Sequence, residues 1–121
     1  MRVLHFEAGA DGVNVRASTP KPQPLAADGL PSEGVRLWAE AQPWGRTEVV
    51  ELAAGGRLGM HSGPDPAICQ IVRGRAKVGL PGGEDVPFAA PDVLVFAPGA
   101  DHSFHSIEEP VTLTITVIGG A

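Results

Sequence analysis

A chain of 121 residues fits one domain, and its net charge of −5, from nine Lys and Arg against fourteen Asp and Glu, argues against a nucleic-acid-tracking face and against binding to an anionic membrane. Its single cysteine, Cys69, excludes an intramolecular disulfide and points to a reducing compartment. No apolar run nears the roughly 20 residues of a membrane helix, residues 1–10 lack the apolar core of a signal peptide, and a cytoplasmic location is the expectation.

Sixteen glycines and twelve prolines are scattered between short apolar runs, which predicts an all-β protein with many turns. Residues 3–8 suggest a short edge strand, followed by a turn over 9–12. The run Thr19-Pro20-Lys21-Pro22-Gln23-Pro24 fits neither a helix nor a central strand, because alternate prolines remove backbone donors. Residues 17–33 therefore read as an arm or loop over the surface, with room for a helical turn near 25–28. A strand is expected over 35–41, with Leu37 and Trp38 at its centre. Gln42-Pro43-Trp44-Gly45 makes a turn, and a weakly alternating strand over 47–53 runs into Gly55-Gly56. A compact apolar run over 67–72 ends at Gly74. Residues 76–80 follow, Pro81-Gly82-Gly83 closes a hairpin, and 86–88 make a short return strand. Residues 93–96 are apolar between Pro91 and Pro98, and 102–107 form another short strand. The last strand is the clearest: Val111, Leu113, Ile115 and Val117 alternate with Thr112, Thr114 and Thr116, a period of two with one buried face. No segment sustains a helical period with caps. Evenly spaced short strands fit a sandwich or a barrel, and periodicity alone does not choose between them.

Two stretches, residues 55–74 and 91–106, narrow the choice. The first places Gly55, His61, Gly63, Ala67 and Gly74 in the spacing Gly-x5-His-x-His-x3-Glu-x6-Gly, with Gly63 where the second histidine belongs and Ala67 where the glutamate belongs. The second follows Gly-x5-Pro-x-Gly-x2-His-x3-Asn. Gly99 and His102 match, while Pro91, Ala97 and Ser106 replace the glycine, proline and asparagine. These paired motifs resemble those of the cupin family, over about residues 47–118. The resemblance implies an all-β, single-domain cupin β-barrel, also called a double-stranded β-helix or jelly roll. It would span residues 1–121, with N-terminal strands and the Pro-rich arm over 1–46 and the barrel core over 47–118.

A complete cupin site uses three histidines and a glutamate to hold a divalent transition metal such as zinc, iron, manganese or nickel. This chain keeps two of those donors, His61 and His102, and Gly63 and Ala67 carry no donor side chain. If the alignment holds, Ala67, Cys69 and Ile71 share a face that points into the barrel. Cys69 is then either a soft ligand or nucleophile, or a small buried hydrophobe. Leu58, Met60, Ile71, Phe96 and Phe104 are the expected apolar lining. Trp38 and Trp44 shape a mouth or pack between subunits. Arg46, Arg57 and Arg73 each offer a bidentate fork for a carboxylate, although a solvated surface role is the default. His105, three residues beyond His102, belongs on the opposite face of its strand. Asp65 is an ion contact or a solvated turn residue, and His5 is structural or exposed.

No phosphate-cradling loop, dinucleotide fingerprint, Gly-x-Ser-x-Gly or glycosidase-like carboxylate pair occurs. The expected function is a small organic molecule bound in a barrel whose site is reduced and metal-free. The alternative is a metal-dependent cupin enzyme (dioxygenase, isomerase or lyase) with His61 and His102 as ligands. The resemblance also implies a homodimer, built through the sheet and N-terminal segments, with the arm over residues 17–33 embracing a neighbour.

Overall fold

The computed structural model describes residues 1–25 and 32–119. The helical turn expected over 25–28 falls largely outside them. Twelve strands follow in order: β1 (Val3–Gly9), β2 (Gly12–Ser18), β3 (Gln23–Pro24), β4 (Gly34–Gln42), β5 (Gly45–Leu52), β6 (Leu58–His61), β7 (Ala67–Arg73), β8 (Arg75–Gly79), β9 (Asp85–Ala89), β10 (Val93–Phe96), β11 (His102–His105) and β12 (Val111–Ile118). No helix among the described residues is long and apolar enough to cross a membrane.

Two antiparallel sheets carry the domain. One has six strands in the order β10-β7-β12-β5-β4-β3, the other four in the order β6-β11-β8-β9. The alternation in β12 works as its pattern implies. It pairs with β5 on one side and β7 on the other, so Leu113 lies between Val50 and Ile71, and Ile115 between Glu48 and Cys69. The inward residues of the six-stranded sheet meet Ala76, Val78, Phe88 and Phe104 of the four-stranded one in a single core. Phe104, Leu52, Ile71, Leu113, Val50 and Val111 are fully buried, each such side chain stabilising by about 1.5–3 kcal/mol.

The motif residues have backbone roles. Gly55, Gly74 and Gly99 all have positive φ, and a Cβ at Gly74 would stand 2.8 Å from the Pro110 carbonyl oxygen. Ser106, where the motif has asparagine, is itself left-handed at φ 57°, a conformation asparagine enters easily. The Pro-rich arm is partly used by its own chain. Gln23 and Pro24 pair with Arg36 and Val35 at the edge of the six-stranded sheet, where a missing N–H does least harm.

The strand over β2 goes unrecognised in the sequence, yet Gly12–Ser18 pairs along its whole length with β1 in a separate two-stranded sheet. The register places Leu4, Phe6 and Ala8 on one face with Val13, Val15 and Ala17. The other face carries His5, Glu7, Asn14 and Arg16, and it is this polar face that reaches the rest of the domain, through a contact between His5 and Glu40 of β4. That bond, more than any other influence, holds the Glu40 carboxyl below its ordinary range.

Candidate functional site

A cavity of about 390 Å³ opens between the two sheets. Its floor comes from β5, β7 and β12, whose inward residues Val50, Ala67, Cys69, Ile115 and Val117 all line it. Phe96, Phe104 and Leu58 extend the apolar surface. The rim is formed by exposed Ser62, Gly63 and Ala100, and the two rim loops are tied by a bond from the Gly99 N–H to the Gly63 carbonyl at 2.9 Å.

His61 and His102 stand side by side because they are directly paired across β6 and β11. Their ring centroids are 4.4 Å apart with a tilt of 56°. His61 Nδ1 donates to the Gly59 carbonyl and His102 Nδ1 to the Ala100 carbonyl, both at 2.8 Å. A carbonyl only accepts, so each Nδ1 carries a hydrogen, and in the neutral ring Nε2 is left as an acceptor. His102 is also stacked on Phe96, centroids 3.6 Å apart at 10°. Burial holds His102 below the usual imidazole pKa, against a smaller upward pull from its bond to Ala100.

The structure sorts the other expected site residues. Cys69, Phe96, Phe104 and Leu58 line the cavity, as do Asp65 and Arg46. Cys69 is buried, and that burial, with the Glu48 charge as a secondary cause, pushes its thiol up to about 12. A buried thiol raised this far is a poor nucleophile in the free protein and packs as a small hydrophobe. Met60 does not line the cavity and is 41% exposed. Three residues of β11, His102 to Phe104, lie opposite four of β6, His61 back to Leu58. The extra residue on β6 is a bulge that turns both Leu58 and His61 inward and Met60 out. Ile71 does share the inward face with Cys69, but it lies in the closed core and does not line the cavity. His105 binds Asp85 at 2.8 Å away from the cavity, and His5 is structural through Glu40. Arg57, Arg73, Trp38 and Trp44 are not in the lining, and Trp44 is exposed.

One feature of the site escaped the sequence reading. Glu48 is buried and projects into the cavity between two arginines of the same sheet. Its Oε2 lies 3.3 Å from Arg36 Nε and 4.0 Å from Arg46 Nε. The signal was available, since Glu48 is in phase with Val50 and Leu52 on the inward side of β5. A carboxylate at such a position needs a partner.

The donor set does not match a complete cupin metal cage. Two imidazoles present free Nε2 atoms, but Gly63 and Ala67 line the cavity without a donor, and no group of three or more His, Cys, Asp or Glu among the described residues is placed to hold a metal ion.

No protein-family model and no curated protein matches the chain. Solved structures do match. The chain is similar to an uncharacterized conserved protein with a double-stranded beta-helix domain from Klebsiella pneumoniae, at 20% identity and a TM-score of 0.67, covering 80% of this chain and 84% of that one. It is similar to the cupin domain of Schizosaccharomyces pombe Cnp3, at 15% identity and a TM-score of 0.65, covering 98% and 88%. It is also similar to the DMSP lyase DddQ from Ruegeria pomeroyi, at 22% identity and a TM-score of 0.56, over 61% of this chain and 38% of that enzyme.

Proposed function

We propose that this domain, whose fold is the cupin double-stranded β-helix, binds a small organic molecule in its barrel and does so without a structural metal. The observation that carries the reading is the pair of imidazoles, locked by carbonyl bonds so that both present an acceptor nitrogen, set in a cavity whose other usual donor positions are Gly63 and Ala67. The enclosed volume and the apolar lining with a few convergent polar groups suit a compact ligand. A single cysteine, with no partner for an internal disulfide, suits a reducing compartment such as the cytoplasm.

The alternative, a metal-dependent dioxygenase, isomerase or lyase, would use the same two imidazoles. Its ligand set is short, since Gly63 and Ala67 bring no donor to the cavity. Elemental analysis of protein purified without chelator separates the two. The expected result is metal well below one equivalent. Near-stoichiometric transition metal lost on His61→Ala and His102→Ala would overturn the reading. A Cβ added at Gly63 meets nothing within 4 Å, and Gly63→His with Ala67→Glu, which restores the two missing donor types, is expected to bind more metal than the natural chain.

Self-association belongs to the same proposal. The outward face of the β1–β2 hairpin exposes Phe6 and Val13 at 67%, Val15 at 57% and Leu4 at 40%. A lone two-stranded sheet is marginal in water, and a second copy of the chain would cover this face symmetrically. Light scattering on wild type and on Phe6→Ser with Val15→Ser tests it. A mass that is monomeric before substitution, or unchanged by it, removes the hairpin from the account.

A further inference from the structure

The imidazoles occupy one sheet, and the charged groups of the cavity occupy the other. Arg36 on β4 and Arg46 and Glu48 on β5 form a group in which hydrogen-bond donors greatly exceed acceptors, since each guanidinium offers five N–H donors and one carboxylate faces both. The approach of Arg36 Nε to Glu48 is not aligned as a hydrogen bond. That Nε is buried and has no hydrogen-bond partner among the described residues. Arg46 stands 4.0 Å from the same oxygen, beyond hydrogen-bond reach. The Glu48 side chain is 9% exposed, against 34% for Arg36 and 59% for Arg46, so an incoming molecule meets the guanidiniums rather than the carboxylate. Two cations and one anion leave a single positive charge there, the complement of a monoanion. Asp65, the other carboxylate lining the cavity, pairs with neither arginine.

We infer that the ligand of this cavity is a small organic carboxylate, its charged end held by Arg36 and Arg46 and its other end presenting a hydroxyl or amine to the Nε2 atoms of His61 and His102. The inference rests on the small-molecule reading and names the ligand's class. A planar carboxylate matches the guanidinium fork, and both arginines line the cavity with side chains exposed enough for their outer N–H groups to meet it. Between the two ends, Phe96, Ile115 and Val117 offer apolar contact to a short hydrocarbon body. The burial that keeps His102 neutral keeps its Nε2 an acceptor, so the distal group must be a donor.

The test uses 3-phenyllactate and its primary amide, which share size, hydroxyl and ring and differ in charge. Binding is measured by calorimetry and by the imidazole resonances of His61 and His102. The acid is expected to bind at least about tenfold more tightly than the amide, and Arg36→Gln is expected to erase most of that preference. Arg46→Gln, at a more exposed position, provides the same comparison if Arg36→Gln fails to fold. Equal binding of acid and amide by wild type, or a preference that survives both substitutions, overturns the carboxylate assignment and leaves the cavity reading standing. If neither probe moves the imidazole resonances, both fail together.

Discussion

The two ends of the barrel are built from the same strands and behave as different materials. At the closed end, β5, β7 and β12 turn Leu52, Val50, Ile71, Leu113 and Val111 into a core with no polar side chain among them. A step of two residues along β5, from Val50 to Glu48, exchanges that packing for a buried carboxylate, two arginines and, across the gap, two imidazoles. The period of the strand is unbroken between the two ends. What changes is the residue type placed on the inward positions, so stability and chemistry are divided along the strand axis rather than between elements. Loss of volume is costly at the first end and loss of a partner at the second.

Substitutions sharpen that division in descending order. Leu113→Ala, in the closed end, is expected to cost about 2–5 kcal/mol in urea unfolding, because the rigid neighbours Val50 and Ile71 leave a cavity behind. Glu48→Ala leaves Arg36 and Arg46 facing each other unneutralised and is expected to cost about 1–3 kcal/mol. Much of that loss should vanish in an Arg36→Met background, and a penalty unaltered there would show that Glu48 acts by packing alone. A smaller effect comes from His102. Its burial makes the folded ring a poorer base than the unfolded one, so the unfolded chain takes up a proton first as pH falls through 6.5. Stability from this group is complete above that value and declines below it, until the folded ring itself titrates. Melting curves between pH 7.5 and 5.5 should show the decline, and His102→Gln should flatten it. The least change is expected outside the cavity: Met60→Ala should alter stability by no more than about 0.5 kcal/mol. Cys69 supplies a chemical counterpart. With its thiol raised to about 12, the native protein should resist iodoacetamide at pH 8 and react once unfolded.

Much of this was legible in the residues. The alternation of Val111, Leu113, Ile115 and Val117 identified a strand with one buried face, and that strand proves to be hydrogen-bonded on both sides. The motif spacing brought His61 and His102 together because glycines and a serine at positive φ shape the loops between strands. The misplacements fall where an apolar residue near the motifs is not enough to say which way, or how deep, it points. Met60 sits two residues from inward Leu58, and plain alternation puts both inside; the bulge on β6 breaks the count. Ile71 obeys parity, but parity says nothing of depth, and it lies in the packed end. Glu48 obeyed parity too and was passed over because a charge on a strand is ordinarily taken as solvated. The β1–β2 hairpin was half-seen, since Gly12–Ser18 alternates as well as β12 does, while its apolar side looks away from the domain.

The bulge on β6 has a consequence for how such a barrel withstands a change in strand length. Removing one residue there, Gly59 for example, would restore strict alternation between Leu58 and the residue now at 61. Leu58 and His61 would then be two residues apart and would keep the same inward face, so the imidazole pair would survive the deletion. The partnership of His61 with His102 therefore tolerates the loss of one residue in β6, whereas straightening the strand at its present length would turn one ring away.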